Sequence, residues 1–193
     1  VTLSSGENIR IIRPDISDIS LSFNGVAPSA AIDIEPEEAE NTERSSIKNC
    51  IIDSLVTARV NFPLQLNLTK SNRIVDVKFT GTTKLIDSQS DAVIFAYDNT
   101  HDSNSTKGSV VIDNLVVLGS GFTPNIALKQ NNFQFKIKKI QTEKNITIFM
   151  LGDASNVSEY DGFSIENINA SKKIKAIYNF DYAQKKPNVL SKP

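Results

Sequence analysis

The sequence contains one cysteine, Cys50, one histidine, His101, and no tryptophan among its 193 residues. A lone cysteine excludes a disulfide framework and any cysteine-rich zinc site. A lone histidine leaves a Ser-His-Asp triad or a histidine-based metal centre with a single candidate member, which argues against both. No cofactor is called for. Without tryptophan, a sugar-binding surface has to rely on tyrosine, phenylalanine and polar groups. No apolar run approaches the roughly 20 residues that span a bilayer, so no membrane span is expected. The net charge of −1 supplies no global field for nucleic acid or an anionic membrane, and neither is expected as a partner. There is no initiator Met and no signal peptide, since Val1 to Gly6 opens directly into polar sequence. The expectation is a processed product or part of a longer chain.

What is present is a strand-and-turn composition. Ile, Val, Thr and Phe favour strands. The abundant Asn, Asp and Ser favour turns, because their short side chains hydrogen-bond the local backbone and tolerate left-handed geometry. A triplet spaced apolar-x-x-apolar-x-apolar recurs along the chain, with small or polar residues filling a few places. Its copies are Ile9, Ile12, Pro14; Ile47, Cys50, Ile52; Ile74, Val77, Phe79; Ile112, Leu115, Val117; Ile137, Ile140, Thr142; and Ile165, Ile168, Ala170. Asn49, Asn114 and Asn167 hold the third place of alternate copies.

A second strand follows each copy, with clear period-2 alternation in Ile32-x-Ile34, Leu64-x-Leu66-x-Leu68, Ile126-x-Leu128, Ile146-x-Ile148-x-Met150 and Ile174-x-Ala176-x-Tyr178, while Ala92 to Tyr97, apolar on both faces, fills the slot in the third rung. Period 2 puts alternate side chains on one face. One coil reads as strand, turn, strand, return loop, and no coil can bury its apolar face without the coils above and below. The expected fold is all-β, a parallel β-helix (solenoid) of about six rungs over residues 1–183, with 184–193 as a C-terminal tail or linker. A sandwich of antiparallel hairpins is the competing all-β fold. It predicts two-residue turns between matched strands, and neither Asn24-Gly25 nor Asp161-Gly162 joins such a pair.

The segments Glu7 to Ser17 and Ala31-Ile32-Asp33-Ile34-Glu35-Pro36-Glu37 resemble the pectate-lyase-like right-handed parallel β-helix superfamily. They are most similar to its phage tailspikes and capsule-polysaccharide depolymerases, although Ala31 stands where those proteins usually have Gly. The specific phrases cover about the first fifth of the chain, whereas the rung pattern covers nearly all of it and marks architecture rather than activity. The resemblance implies a stretch of a longer helix, a homotrimer on a virion tail or cell surface, and a bacterial surface polysaccharide (capsule or O-antigen) as partner.

Insertions in a solenoid gather on one flank, often the binding flank. The long returns here are Glu35 to Ser46, Asp98 to Lys107 and Gly152 to Asp161. The first two are acidic, and rungs two apart lie roughly 10 Å from each other. That is near the upper end of the carboxyl separation of an inverting glycosidase. The catalytic candidates are therefore Asp33, Glu35, Asp98 and Asp102. Asp33 and Glu35 come first, because they alternate with core Ile32 and Ile34 on a rigid strand. Substrate-binding candidates are Lys70, Arg73, Tyr97, His101 and Tyr160. Outward carboxylates also serve simply to keep sheet edges soluble. A polysaccharide lyase would instead use Lys, Arg or Tyr as base. A fibre or adhesin segment would bind a glycan, or carry other domains, without cleaving anything. No D-x-D-x-D-G loop supports calcium, and no metal is assigned.

Overall fold

The computed structural model describes residues 1–18, 30–36, 46–60, 62–67, 73–88, 92–97, 106–119, 123–127, 133–142, 147–152, 163–170, 176–181 and 186–191. All their regular structure is β. Four short strands, β1 (Thr2–Leu3), β2 (Gly6–Glu7), β3 (Arg10–Ile12) and β4 (Asp15–Ser17), precede β5 (Ala30–Ile34). Three passes of the chain then contribute β6 (Ile47–Asp53), β7 (Val56–Ala58) and β8 (Phe62–Asn67); β9 (Ile74–Thr80), β10 (Thr83–Ile86) and β11 (Ala92–Tyr97); and β12 (Lys107–Ile112), β13 (Leu115–Leu118) and β14 (Thr123–Ala127). Next come β15 (Phe133–Thr142) with β16 (Thr147–Gly152), β17 (Phe163–Ala170) with β18 (Ala176–Asp181), and finally β19 (Lys186–Ser191).

The strands form two long sheets. The first runs β1-β5-β8-β11-β14-β16-β18-β19, and the second holds the remaining 11 strands. Every pairing is parallel except β18 with β19, which is antiparallel. The segment expected as a tail thus contains a strand at the sheet edge. Its Pro187 lies opposite Phe180, and an edge strand tolerates the missing N–H.

Burial follows columns of residues in register. Cys50, Val77, Val110 and Phe135 form one, and Ile52, Phe79, Ile112 and Ile137 the next. Ile32 with Leu64 and Ile34 with Leu66 line the opposite wall. Most of these side chains are wholly buried and join a single core cluster. In these strands the apolar face is therefore covered by neighbours in register and by the facing sheet.

Left-handed residues also align in columns, and these turn the corners. Asn8 lies over Asn49, Arg13 over Ser54 and Gly81, and Asp18 over Arg59, Asp87 and Gly119, all with positive φ. Asn49 Nδ2 donates to Asn8 Oδ1 (2.6 Å), and Arg59 donates through Nε and Nη2 to the two carboxylate oxygens of Asp18 (2.5 and 2.7 Å). Asn and Asp accept this conformation at little cost, as their composition led us to expect. Arg13 and Arg59 do not share that preference.

The structure corrects the triplet register in two ways. Ile12, read as inward, is 56% exposed, while Ile9, Ile11 and Ile16 pack on the core. Ile74 is exposed as well, and Val75 is the residue that pairs with Ile47. The second and third triplets lie within β6 and β9, whereas Ile112, Leu115 and Val117 pair with Phe79, Thr83 and Leu85 around the next corner. The same spacing has two structural origins. It occurs at the irregularity between Ile47 and Cys50, where Asn49 is left-handed, and again where two residues turn between β12 and β13. The second correction is a third strand per pass, supplied by β7, β10 and β13. In β15 the corner is traversed without a break, so this one strand pairs with both β12 and β13.

Candidate functional site

Ile32 and Ile34 are completely buried, so Asp33 and the residue after β5, Glu35, lie on the outer face of the first sheet. Residues two apart on a strand are separated by about 6.6 Å along the main chain, so the two side chains start side by side on this face. Both positions are held by main-chain bonds. The Asp33 N–H donates to the Val1 carbonyl (2.8 Å), the Glu35 N–H to that of Leu3 (2.9 Å), and Asp33 is in register with Gln65 on β8. Main-chain bonding of this kind fixes where the side chains start, which is the first requirement of acid–base geometry.

Asp33 is half-buried. Its Oδ1 is shielded from solvent and has no hydrogen-bond partner among the described residues. Burial pushes its pKa up and the charge of Glu35 pushes it further, opposed by the Val1 ammonium group. A carboxyl group that is desolvated and unpaired beside a second acid is chemically suited to keep and then deliver a proton.

Tyr97 ends β11 and pairs with Asn67, which follows Leu66, the partner of Ile34. Tyr97 thus stands in the column of Glu35, two strands away, roughly 10 Å along the stack. Arg73 immediately precedes β9 in the second sheet. It is buried (5% exposed), and its carbonyl accepts the N–H of Lys107 (2.8 Å). Lys70, Asp98, His101, Asp102 and Tyr160 lie outside the described residues. The structure therefore brings Asp33, Glu35 and the Tyr97 position onto one sheet and leaves Arg73 on the other.

The outer face of the second sheet carries a charge cluster that the sequence did not reveal. Asp113 sits between Lys138 (Nζ to Oδ1, 2.7 Å) and Lys78 (Nζ to Oδ2, 3.6 Å). Asp76 Oδ1 accepts from the Ser109 N–H and Oγ (3.1 and 3.3 Å), and Asp53 Oδ1 accepts from Thr80 Oγ1 (2.8 Å). These partners are distant in sequence and meet only through the strand register, so no local motif could have flagged them. Among the described residues no group of three or more His, Cys, Asp or Glu could hold a metal ion, and no helix is long and apolar enough to cross a membrane.

Comparisons with protein-family models, with curated proteins and with solved structures give no match to this chain.

Proposed function

We propose that the chain is a stretch of right-handed parallel β-helix of about six rungs, of the phage-tailspike kind, that binds and hydrolyses a bacterial surface polysaccharide. The observation that carries this reading is Asp33: a half-buried carboxyl group with a raised pKa and an unpartnered oxygen, two residues from Glu35 on the same outer face. In this reading Asp33, protonated, gives its proton to the glycosidic oxygen as the bond from the anomeric carbon to that oxygen breaks. Glu35, ionised, takes a proton from a water whose oxygen bonds to the anomeric carbon from the opposite side. The products are a free alcohol on one fragment and a reducing end of inverted configuration on the other. Both carboxyl groups then exchange protons with solvent and are reset. A homotrimer on a virion tail fits this role, with the exposed strand edges of each chain covered in the assembly.

The test is to incubate the protein with capsule or lipopolysaccharide and measure new reducing ends. Asp33→Asn and Glu35→Gln should each lower their release by about a hundredfold or more. A new unsaturated product in place of reducing ends would convert the reading to a polysaccharide lyase. Binding with neither product would leave a non-catalytic fibre or adhesin segment.

A further inference from the structure

Asp33 opens a register column that continues across the outer face of the first sheet. It pairs with Gln65 on β8, Gln65 with Phe95 on β11, and Phe95 with Asn125 on β14. Asn125 then pairs with Phe149 on β16, and Phe149 with Tyr178 on β18. Phe95 holds an outer position because Ile94 and Ala96, on either side of it, are in register with the buried Leu64 and Leu66. The column beside it starts at Glu35 and passes through Asn67, Tyr97 and Ala127. Past Asp33 and Glu35 these positions hold amides, aromatics and an alanine, and none is charged. The outer face of the second sheet differs, since Lys78, Asp113 and Lys138 meet there.

We propose that these two columns form a binding track for an uncharged polysaccharide lying across the strands, with the bond to be cleaved at Asp33 and Glu35 and about five sugars extending toward β18. The proposal rests on the reading of that pair as the hydrolytic site, and it adds the class of chain accepted and the side on which it is held. A strand spacing of about 4.8 Å is close to the length of one sugar in an extended chain, so β5 to β18 spans roughly 24 Å, or about five sugars. Amides both donate to and accept from hydroxyl groups, and aromatic residues supply the apolar platform that tryptophan would otherwise give. Charge selects the class. A uronate-bearing chain would bring carboxylates to Asp33 and Glu35 and meet no cation in either column.

The probes are purified bacterial surface polysaccharides, one set uncharged and one set bearing uronic acids. Immobilised uncharged members should retain the wild-type protein, with no loss as salt rises, and uronate-bearing members should not. Affinity for fragments of a retained member should rise with length to about five sugars and then level off. That measurement needs no variant to fold. Phe149→Ala and Tyr178→Ala should each weaken retention roughly tenfold, while Lys136→Ala on the other sheet leaves it unchanged. Reducing ends are measured in parallel, so the two readings fail separately. Retention of uncharged chains without cleavage would sink the hydrolytic reading and support the track. Cleavage of uronate-bearing chains would keep hydrolysis and overturn the track. Retention by no uncharged member, retention lost with salt, affinity that levels off at a disaccharide, or unchanged retention by both aromatic variants would each overturn it as well.

Discussion

Two aspartates on outer faces meet opposite fates. On the second sheet Asp113 is held between Lys78 and Lys138. On the first, Asp33 has an oxygen that is shielded from water without a protein hydrogen bond, and its nearest charged side-chain influence, Glu35, is of the same sign. Pairing a charge in register across strands is a simple way to settle it, and the second sheet does so repeatedly. The first sheet leaves Asp33 unsettled on a rigid strand. Residues that make a fold less stable than it needs to be tend to cluster where chemistry occurs.

The close register of the second sheet can be broken at Gly108 on β12. It has φ +116, and a Cβ there would collide with the Val75 carbonyl oxygen on the neighbouring strand. Backbone cannot move aside as a side-chain tip can. Gly108→Ala should destabilise the fold by about 1–3 kcal/mol, measured by denaturant unfolding. A loss near zero would mean that β9 and β12 are not held as closely as described.

A smaller effect, of distinctive sign, is expected at Asp33. Its folded pKa is raised above the ordinary 3.8, so the folded state binds the proton more tightly than the unfolded chain. The stability this gives is fully present below pH 3.8 and is lost as pH rises through the folded pKa. Asp33→Asn should remove that slope and stabilise the protein near neutral pH by roughly 0.5–1 kcal/mol. Asp113→Asn should instead destabilise slightly, by about 0.2–1 kcal/mol as for other partly exposed ion pairs. Equal signs for the two substitutions would erase the contrast.

How much of this was legible beforehand depends on the kind of pattern. In the first sheet β5, β8, β14, β16 and β18 were readable from period-2 alternation, whereas β1 and the edge strand β19 were not, and Asp33 and Glu35 followed because they alternate with Ile32 and Ile34. The second sheet was readable only in part. Apolar-x-x-apolar describes both an irregularity inside β6 and a corner after β12, so Ile47 and Ile112 looked equivalent when they are not. The strands β7, β10 and β13 are short and begin directly after a corner, leaving too few residues for alternation to register. Arg13 and Arg59 in left-handed corners contradict local preference. The stacked neighbours in their columns, Ser54 and Asp18, suggest that the alignment of passes imposes the geometry. The Lys78–Asp113–Lys138 cluster required the register itself.

The buried threonines show that the second sheet's settlement of polar groups is incomplete, and they give the finest test. Thr57 is in register with Leu85 on β10, and Thr83 with Leu115 on β13. Both are essentially inaccessible, and neither Oγ1 has a partner among the described residues. Their neighbours in these inward columns are mostly apolar, Ile16, Leu85 and Val117 with Thr57, and Leu115 and Ile140 with Thr83. Valine has nearly the same shape, so replacing a buried hydroxyl that bonds to nothing removes a desolvation cost without opening a cavity. Thr57→Val should therefore stabilise the fold by about 1 kcal/mol, and Thr83→Val similarly, read as a higher denaturant midpoint with unchanged slope. A destabilising result would mean that the hydroxyl is bonded to an ordered water.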